Sequence, residues 1–227
     1  MELILFNGFM IIVGGLLSNV LKKTVSLSQL DFTLTMVNIT VLMVGISGAI
    51  KSEMPILMLV SIVVGSFIGS WFDLDQKLQN VGSFIEKKFD DKEAGVGQGF
   101  VLMVMIHCVG SMAILGPLNL GLSGDGSLLL IKAFLDFIST MVYGSIYGYG
   151  VMGSSVVVVL YQGVIFLLSS SLRSFLTPAI IVEIGAVGSI LIVALALHLL
   201  KIKDIKVANG LPAILVVIAY QLVLYLW

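Results

Sequence analysis

The sequence predicts an all-α integral membrane protein that crosses the bilayer about eight times as a single domain. Three observations carry this. Of 227 residues, 59% are hydrophobic and only 11% are charged. A water-soluble domain carries roughly a quarter charged residues, so this chain cannot cover its outside with polar groups. The mean hydropathy is +1.14. Finally, the apolar residues fall into runs of about 20, the length needed to cross a hydrocarbon core about 30 Å thick.

The first span is expected from Leu3 to Leu21, closed by Lys22 and Lys23. No basic segment or small-residue cleavage site marks it as a removable leader, so it reads as a true span. The second runs from Phe32 to Ile50, ending at Lys51. Pro55 opens the third, which ends near Phe72. Proline suits a first helical turn because its missing N–H would have been unpaired there.

Residues 74–90 break the pattern. Leu74, Leu78, Val81, Ile85 and Phe89 recur at helical spacing, with Asp75, Lys77, Glu86 and Lys87 mainly off that face. This reads as an amphipathic helix at the membrane interface or packed on the spans. A polar loop over residues 90–99 follows.

The fourth span is expected from Phe100 to Leu120, interrupted at Gly110, Gly116 and Pro117, with a kink at the proline. The fifth runs from Ser127 to Tyr147, the sixth from Ser154 to Leu172. The seventh lies within Pro178 to Leu200, as a full crossing or a partly re-entrant one. The eighth runs from Val207 to Trp227 and contains Pro212. Residues 14–45 and 163–194 share spacing and apolar content, which suggests a weak inverted repeat of spans one to three and six to eight. Such repeats occur in secondary transporters.

With spans numbered this way, nine lysines collect on one side of the membrane, against Lys51 and Arg173 on the other. The positive-inside rule then places the lysine-rich loops in the cytoplasm and both termini outside.

The segment from His107 to Phe137 carries the chemistry. Lys132 and Asp136 stand four apart and share one helix face. Each charge costs about 2.5–3.5 kcal/mol at a helix centre, while each large apolar residue returns about 0.3–0.6 kcal/mol. The fifth helix therefore inserts only marginally by itself and must turn that face toward protein or water. Asp136 is a candidate proton or cation site, with Lys132 as its counter-ion. The alternative is a salt bridge that only locks packing.

Asp125, in Ser-Gly-Asp-Gly, is either a helix cap or a site residue. Gly116-Pro117 and Asn119 suggest a broken helix facing a cavity. Glu183 lies near the start of the seventh span, where it could bind solute or pair with Arg173. His107 reads as a packing histidine or a proton relay. Gln162 could bind a ligand or bond a neighbouring helix. Ser111 and Asn209 complete the candidate polar lining.

Gly65 with Gly69, and Gly144 with Gly148, form small-residue faces for close helix packing. One cysteine, Cys108, excludes an intramolecular disulfide. There is no P-loop, no zinc-protease signature, no nucleophile elbow and no basic aromatic patch. This argues against P-loop ATP hydrolysis, a metal or other cofactor, and nucleic-acid binding.

Three stretches, HCVGSMAILGPLNLGLSGDGSLLLIKAFLDF, Tyr161 to Gly163, and KIKDIKVANGLPA at Lys201 to Ala213, resemble the domain-of-unknown-function 554 family of bacterial membrane proteins. The resemblance runs along the whole chain. It implies a multi-spanning inner-membrane protein, a family grouped with transporters but without an established activity. It singles out Cys108 to Met112, Gly116, Asp125, Lys132, Asp136, Gln162 and Asn209. A glycine usually follows the aspartate in that family, and Phe137 stands here instead.

The leading expectation is thus a secondary transporter or channel-like carrier of a small polar solute or ion. Its partners would be the lipid bilayer and, as a homodimer, a second copy. The alternatives are a non-catalytic membrane scaffold and, third, an intramembrane enzyme acting on lipid.

Overall fold

The computed structural model describes residues 1–89, 95–108, 111–172 and 176–226. They are almost wholly helical, with no strand among them. The helices are α1 (Glu2–Thr24), α2 (Leu27–Ala49), α3 (Pro55–Trp71), α4 (Leu74–Phe89), α5 (Val96–Cys108), α6 (Ser111–Ser123), α7 (Ser127–Tyr147), α8 (Ser154–Leu167), α9 (Ser169–Leu172), α10 (Pro178–Leu199) and α11 (Pro212–Leu226). Short 3-10 turns at Gly148–Gly153 and Val207–Gly210 precede α8 and α11.

Five helical segments are long and apolar enough to cross a membrane: Glu2–Thr24, Asp31–Ala49, Ser127–Leu167, Pro178–Leu199 and Val207–Tyr225. Counting the bent pairs α3–α4 and α5–α6 as one span each raises this to seven. The 41-residue segment Ser127–Leu167 is twice the length one crossing needs.

Helix directions explain it. Leu3 lies at Gly126, Gly14 at Phe137 and Met141, and Ser18 at Gly144, so α1 and α7 run parallel. Asn7 meets Gln162, and Gly8 meets Val159, so α8 runs antiparallel to α1. The chain therefore reverses between α7 and α8, at Gly148, whose φ of 69° suits glycine. Sequence reasoning placed Gly148 in a packing face with Gly144; Gly144 packs against Ser18 and Val151.

Parallel α1 and α7 require an odd number of crossings between them, and α2, α3 and the α5–α6 pair supply three. Gly65 lies on Ala213 and Gly69 on Asn209, so α3 and α11 are antiparallel. This requires an even number of crossings between them, and α5–α6, α7, α8 and α10 supply four.

Helix α5 begins at Val96, inside the stretch expected as a polar loop over residues 90–99, and two further features differ from expectation. In the fourth span α6 continues through Pro117, while α5 ends at Cys108 and α6 begins at Ser111. Helices α5 and α6 meet at 54°. The proline sits at the seventh position of α6 and removes one backbone bond without ending the helix. Pro212 opens α11 after a 3-10 turn and leaves no kink inside it. The seventh span, α10, is one uninterrupted helix of 22 residues, about 33 Å long at 1.5 Å per residue.

The helices form two compact units. One comprises Met1–Thr35, Leu78–Cys108 and Met112–Ser169. The other consists chiefly of Met36–Lys77 and Ser170–Trp227.

Candidate functional site

In the first unit, α7 presents two faces. Leu130, Ile131, Phe134, Leu135 and Ile138 are exposed, while Lys132, Ala133, Asp136 and Thr140 are buried. The apolar face can meet lipid, and the charged face is turned into the protein, as the insertion balance requires. Helix α1 lies close along α7 because Gly14 has no side chain to hold the backbone at Phe137 away. The close helix contact at this level is thus intact despite Phe137, and glycine supplies it from the opposite helix.

Lys132 Nζ donates to both oxygens of Asp136, at 2.8 and 2.7 Å. Each side chain is only 7% exposed. His107, at the end of α5, completes the cluster. Its Nε2 lies 3.9 Å from Asp136 Oδ1. Its Nδ1 is 3.2 Å from Ser154 Oγ, and its Nε2 is 3.2 Å from Ser139 Oγ and 3.5 Å from Thr140 Oγ1.

The hydroxyl hydrogens around that ring are already directed elsewhere. Ser139 donates to the carbonyls of Leu135 or Asp136, Thr140 to that of Asp136, and Ser154 to that of Val151. Each hydroxyl has one hydrogen, so at any moment it serves either its carbonyl or the ring nitrogen. A neutral imidazole has one N–H and one bare nitrogen. The bare nitrogen gains a donor only if a hydroxyl rotates off its carbonyl. A proton gained or lost at His107 is therefore linked to hydroxyl rotation beside Asp136.

Gln162 joins the first unit through Asn7, whose Nδ2 donates to Gln162 Oε1 at 3.3 Å. Asn119 is half-buried on α6, and its carbonyl accepts from Ser123. No bond given for Asn119 joins it to the charged cluster. Ser111 lies in the first turn of α6, and its side chain is outside the described residues. Asp125 is an exposed cap: its Oδ1 accepts from the N–H and the hydroxyl of Ser127. Those two bonds hold its carboxyl below the usual carboxylate range.

The second unit holds the other two candidates, both in structural clamps. Glu183 is 1% exposed. Its Oε1 accepts the N–H groups of Glu53 and Met54 at 2.8 and 2.9 Å, and its Oε2 accepts the hydroxyl of Ser52 at 2.6 Å. It therefore caps α3 from α10, where Pro55 leaves the turn without a local cap. The alternative partner, Arg173, lies outside the described residues. Asn209 Oδ1 accepts the N–H of Asp75, and Asp75 Oδ1 accepts the N–H of Ala208. This reciprocal clamp ties the start of α4 to the turn before α11.

Sequence reasoning left His107 between a packing histidine and a proton relay, and passed over Asn7. An isolated histidine in an apolar run gives no spacing signal, and a lone asparagine near a terminus gives still less. Their importance comes from which helices meet there. Among the described residues, no group of three or more His, Cys, Asp or Glu side chains could hold a metal ion.

The profile of a family described as "Protein of unknown function (DUF554)" matches residues 4–222. The chain is 30% identical over 216 residues to the uncharacterized membrane protein YdfK of Bacillus subtilis (strain 168), covering 93% of this chain and 92% of that protein. It is 27% identical over 217 residues to the uncharacterized protein YqgA of Escherichia coli (strain K12), covering 92% and 91%. No solved structure matches it.

Proposed function

The chain belongs to the DUF554 family of membrane proteins, and from that premise we propose that it is a proton-coupled carrier of a small polar solute. One observation carries the reading: Lys132, Asp136 and His107 are buried together in the first unit, with Asp136 near the middle of α7. Isolated charges at that depth are expensive, and intramembrane ionisable clusters mark proton and ion pathways.

In this mechanism Asp136 holds charge against Lys132, and His107 exchanges a proton as its hydroxyl partners turn. Solute binding would loosen the Lys132–Asp136 pair and let the acid take up a proton. The pairing of α1 with α8, α2 with α10 and α3 with α11 supports the reading. These are the helices that the inverted repeat would relate, and each pair is antiparallel. We place the protein in the bacterial inner membrane with its lysine-rich loops in the cytoplasm, both termini outside, and a homodimer as the working assembly. A carboxy-terminal reporter active only in the cytoplasm would contradict that orientation.

The test is reconstitution in vesicles carrying a pH-sensitive dye, with solutes chosen by thermal-shift screening of the purified protein. Asp136→Asn should reduce solute-driven proton entry to the level of empty vesicles. The double variant Lys132→Met/Asp136→Leu controls for an unpaired buried amine, because replacing a whole buried pair by apolar residues is often tolerated. Normal flux in both would remove the pair from the mechanism. It would favour the scaffold reading, whose supporting observation is that Lys132 bonds both oxygens of Asp136.

A further inference from the structure

We infer that His107 and Ser154 form a tautomer switch that carries the charge state of Asp136 from α7 to the start of α8. The imidazole bridges the two helices with its two nitrogens. On one edge, Nε2 faces Asp136 Oδ1 at 3.9 Å, Ser139 Oγ at 3.2 Å and Thr140 Oγ1 at 3.5 Å, all on α7. On the other, Nδ1 faces the Oγ of Ser154, the first residue of α8, at 3.2 Å. Both His107 and Ser154 are fully buried. A buried ring nitrogen left without a partner is costly, so the tautomer and the hydroxyl hydrogens must agree.

The titratable groups that act on the ring are Asp136 and Lys132 of α7, the carboxylate more strongly than the amine. An ionised carboxylate attracts an N–H and repels a lone pair. It therefore holds the proton of the neutral ring on Nε2. Nδ1 is then bare and needs a donor. Ser154 supplies one by turning its hydroxyl off the Val151 carbonyl. That carbonyl also accepts the Ser154 N–H, so the turn orphans nothing. Neutralising Asp136 removes the pull on Nε2 and leaves the amine to favour a lone pair there. The ring proton then sits on Nδ1 and points at Ser154, whose hydrogen returns to Val151. Ser139 or Thr140 turns a hydroxyl toward the bared Nε2. Ser154 can serve both states because a hydroxyl both donates and accepts.

In the carrier reading one proton throws the switch, and only this use of it rests on that reading. Ser154 passes its hydroxyl hydrogen to Nδ1 and takes up the incoming proton, while Nε2 releases its own to Asp136. The acid and the ring both end neutral, and Ser154 again carries one hydrogen. The gap of 3.9 Å between Nε2 and Asp136 is roughly 0.7 Å beyond hydrogen-bond reach, the kind of slack that unliganded sites often show. Ser154 is thus a positioning residue: it makes the Nδ1–H tautomer reachable.

The experiment is nitrogen-15 NMR of histidine-labelled, full-length protein in lipid nanodiscs, held above the ordinary histidine titration range so that the rings are neutral. The chain has 2 histidines, and His198→Gln assigns the signals. The wild type should favour the Nε2–H tautomer at least about tenfold, the factor expected for one hydrogen bond to a charged group. Asp136→Asn mimics the neutral acid and should reverse the preference. Ser154→Ala added to Asp136→Asn should abolish the reversal, because Nδ1–H then has no acceptor, and Ser154→Thr in its place should restore it. A residue that only packs would leave the ratio unmoved. Three results would overturn the inference: an Nδ1–H tautomer in the wild type, which needs no variant to fold; a ratio unchanged by Asp136→Asn; or a reversal that persists in Ser154→Ala/Asp136→Asn. These spectra need neither solute nor gradient, so absent flux with an intact switch would count against the carrier reading alone.

Discussion

Two buried carboxylates, one in each unit, solve the same electrostatic problem in different ways. Glu183 meets two backbone N–H groups and a serine hydroxyl from a single turn. Asp136 meets a lysine on its own helix and lies beside a histidine from another. Backbone donors cannot leave or change charge, so Glu183 acts as a permanent cap. Lysine and histidine can move and exchange protons, so Asp136 can be a site. In the carrier reading, what separates the two acids is the mobility and titratability of their partners, since both acids are buried.

The sharpest way to break this comparison is to neutralise each acid in turn. Asp136→Asn should abolish proton-coupled flux in reconstituted vesicles, whereas Glu183→Gln should leave flux per folded molecule unchanged. Loss of flux in the glutamine variant would erase the distinction between the two acids.

The next largest effect concerns stability. Glu183→Leu leaves two N–H groups at the start of α3 without an acceptor. It should destabilise the protein by about 3–5 kcal/mol, as removal of a buried hydrogen-bonded charge does. Denaturation in detergent would measure this. A cost below about 1 kcal/mol, within the range of an ordinary exposed pair, would mean that the cap is dispensable.

His107→Gln keeps hydrogen-bonding capacity but cannot carry the proton. Transport should persist at a reduced rate with a changed pH profile. An unchanged pH profile would make His107 a packing residue. Asn209→Ala removes one side of the clamp on α4. It should destabilise by about 0.5–2 kcal/mol, the usual range for a lost helix cap, without changing flux.

The smallest effect is expected at Asp125. Its carboxyl is held below the usual range by Ser127. The contribution of this group is therefore complete above the ordinary carboxylate value and is lost as pH falls through the lowered one. Asp125→Ala should slightly lower the melting temperature at neutral pH and have no effect in strong acid.

Much of the fold could be read from the chain. The fifth span has its expected limits, and Gly65 and Gly69 make the close approach that their spacing foretold. The Lys132–Asp136 pair was also legible, because one helical turn fixes the geometry of residues four apart. An interruption near Gly110 was among those expected in the fourth span, and α5 ends at Cys108 before α6 begins at Ser111; that α6 would run on through Pro117 was not legible. Nor was the difference between Glu183 and Asp136, both of which appear in the sequence as an acid in an apolar run.

By itself the sequence determined that the chain is helical, that lipid is its solvent, and which charges must turn inward. These follow from local spacing and transfer free energy. Only the tertiary structure decided that His107 joins Asp136, that Asn7 finds Gln162 at a separation of 155 positions, and that Glu183 caps a distant helix. The physical reason is that a side chain's partner, unlike its solvent preference, depends on which helices are neighbours and in what register.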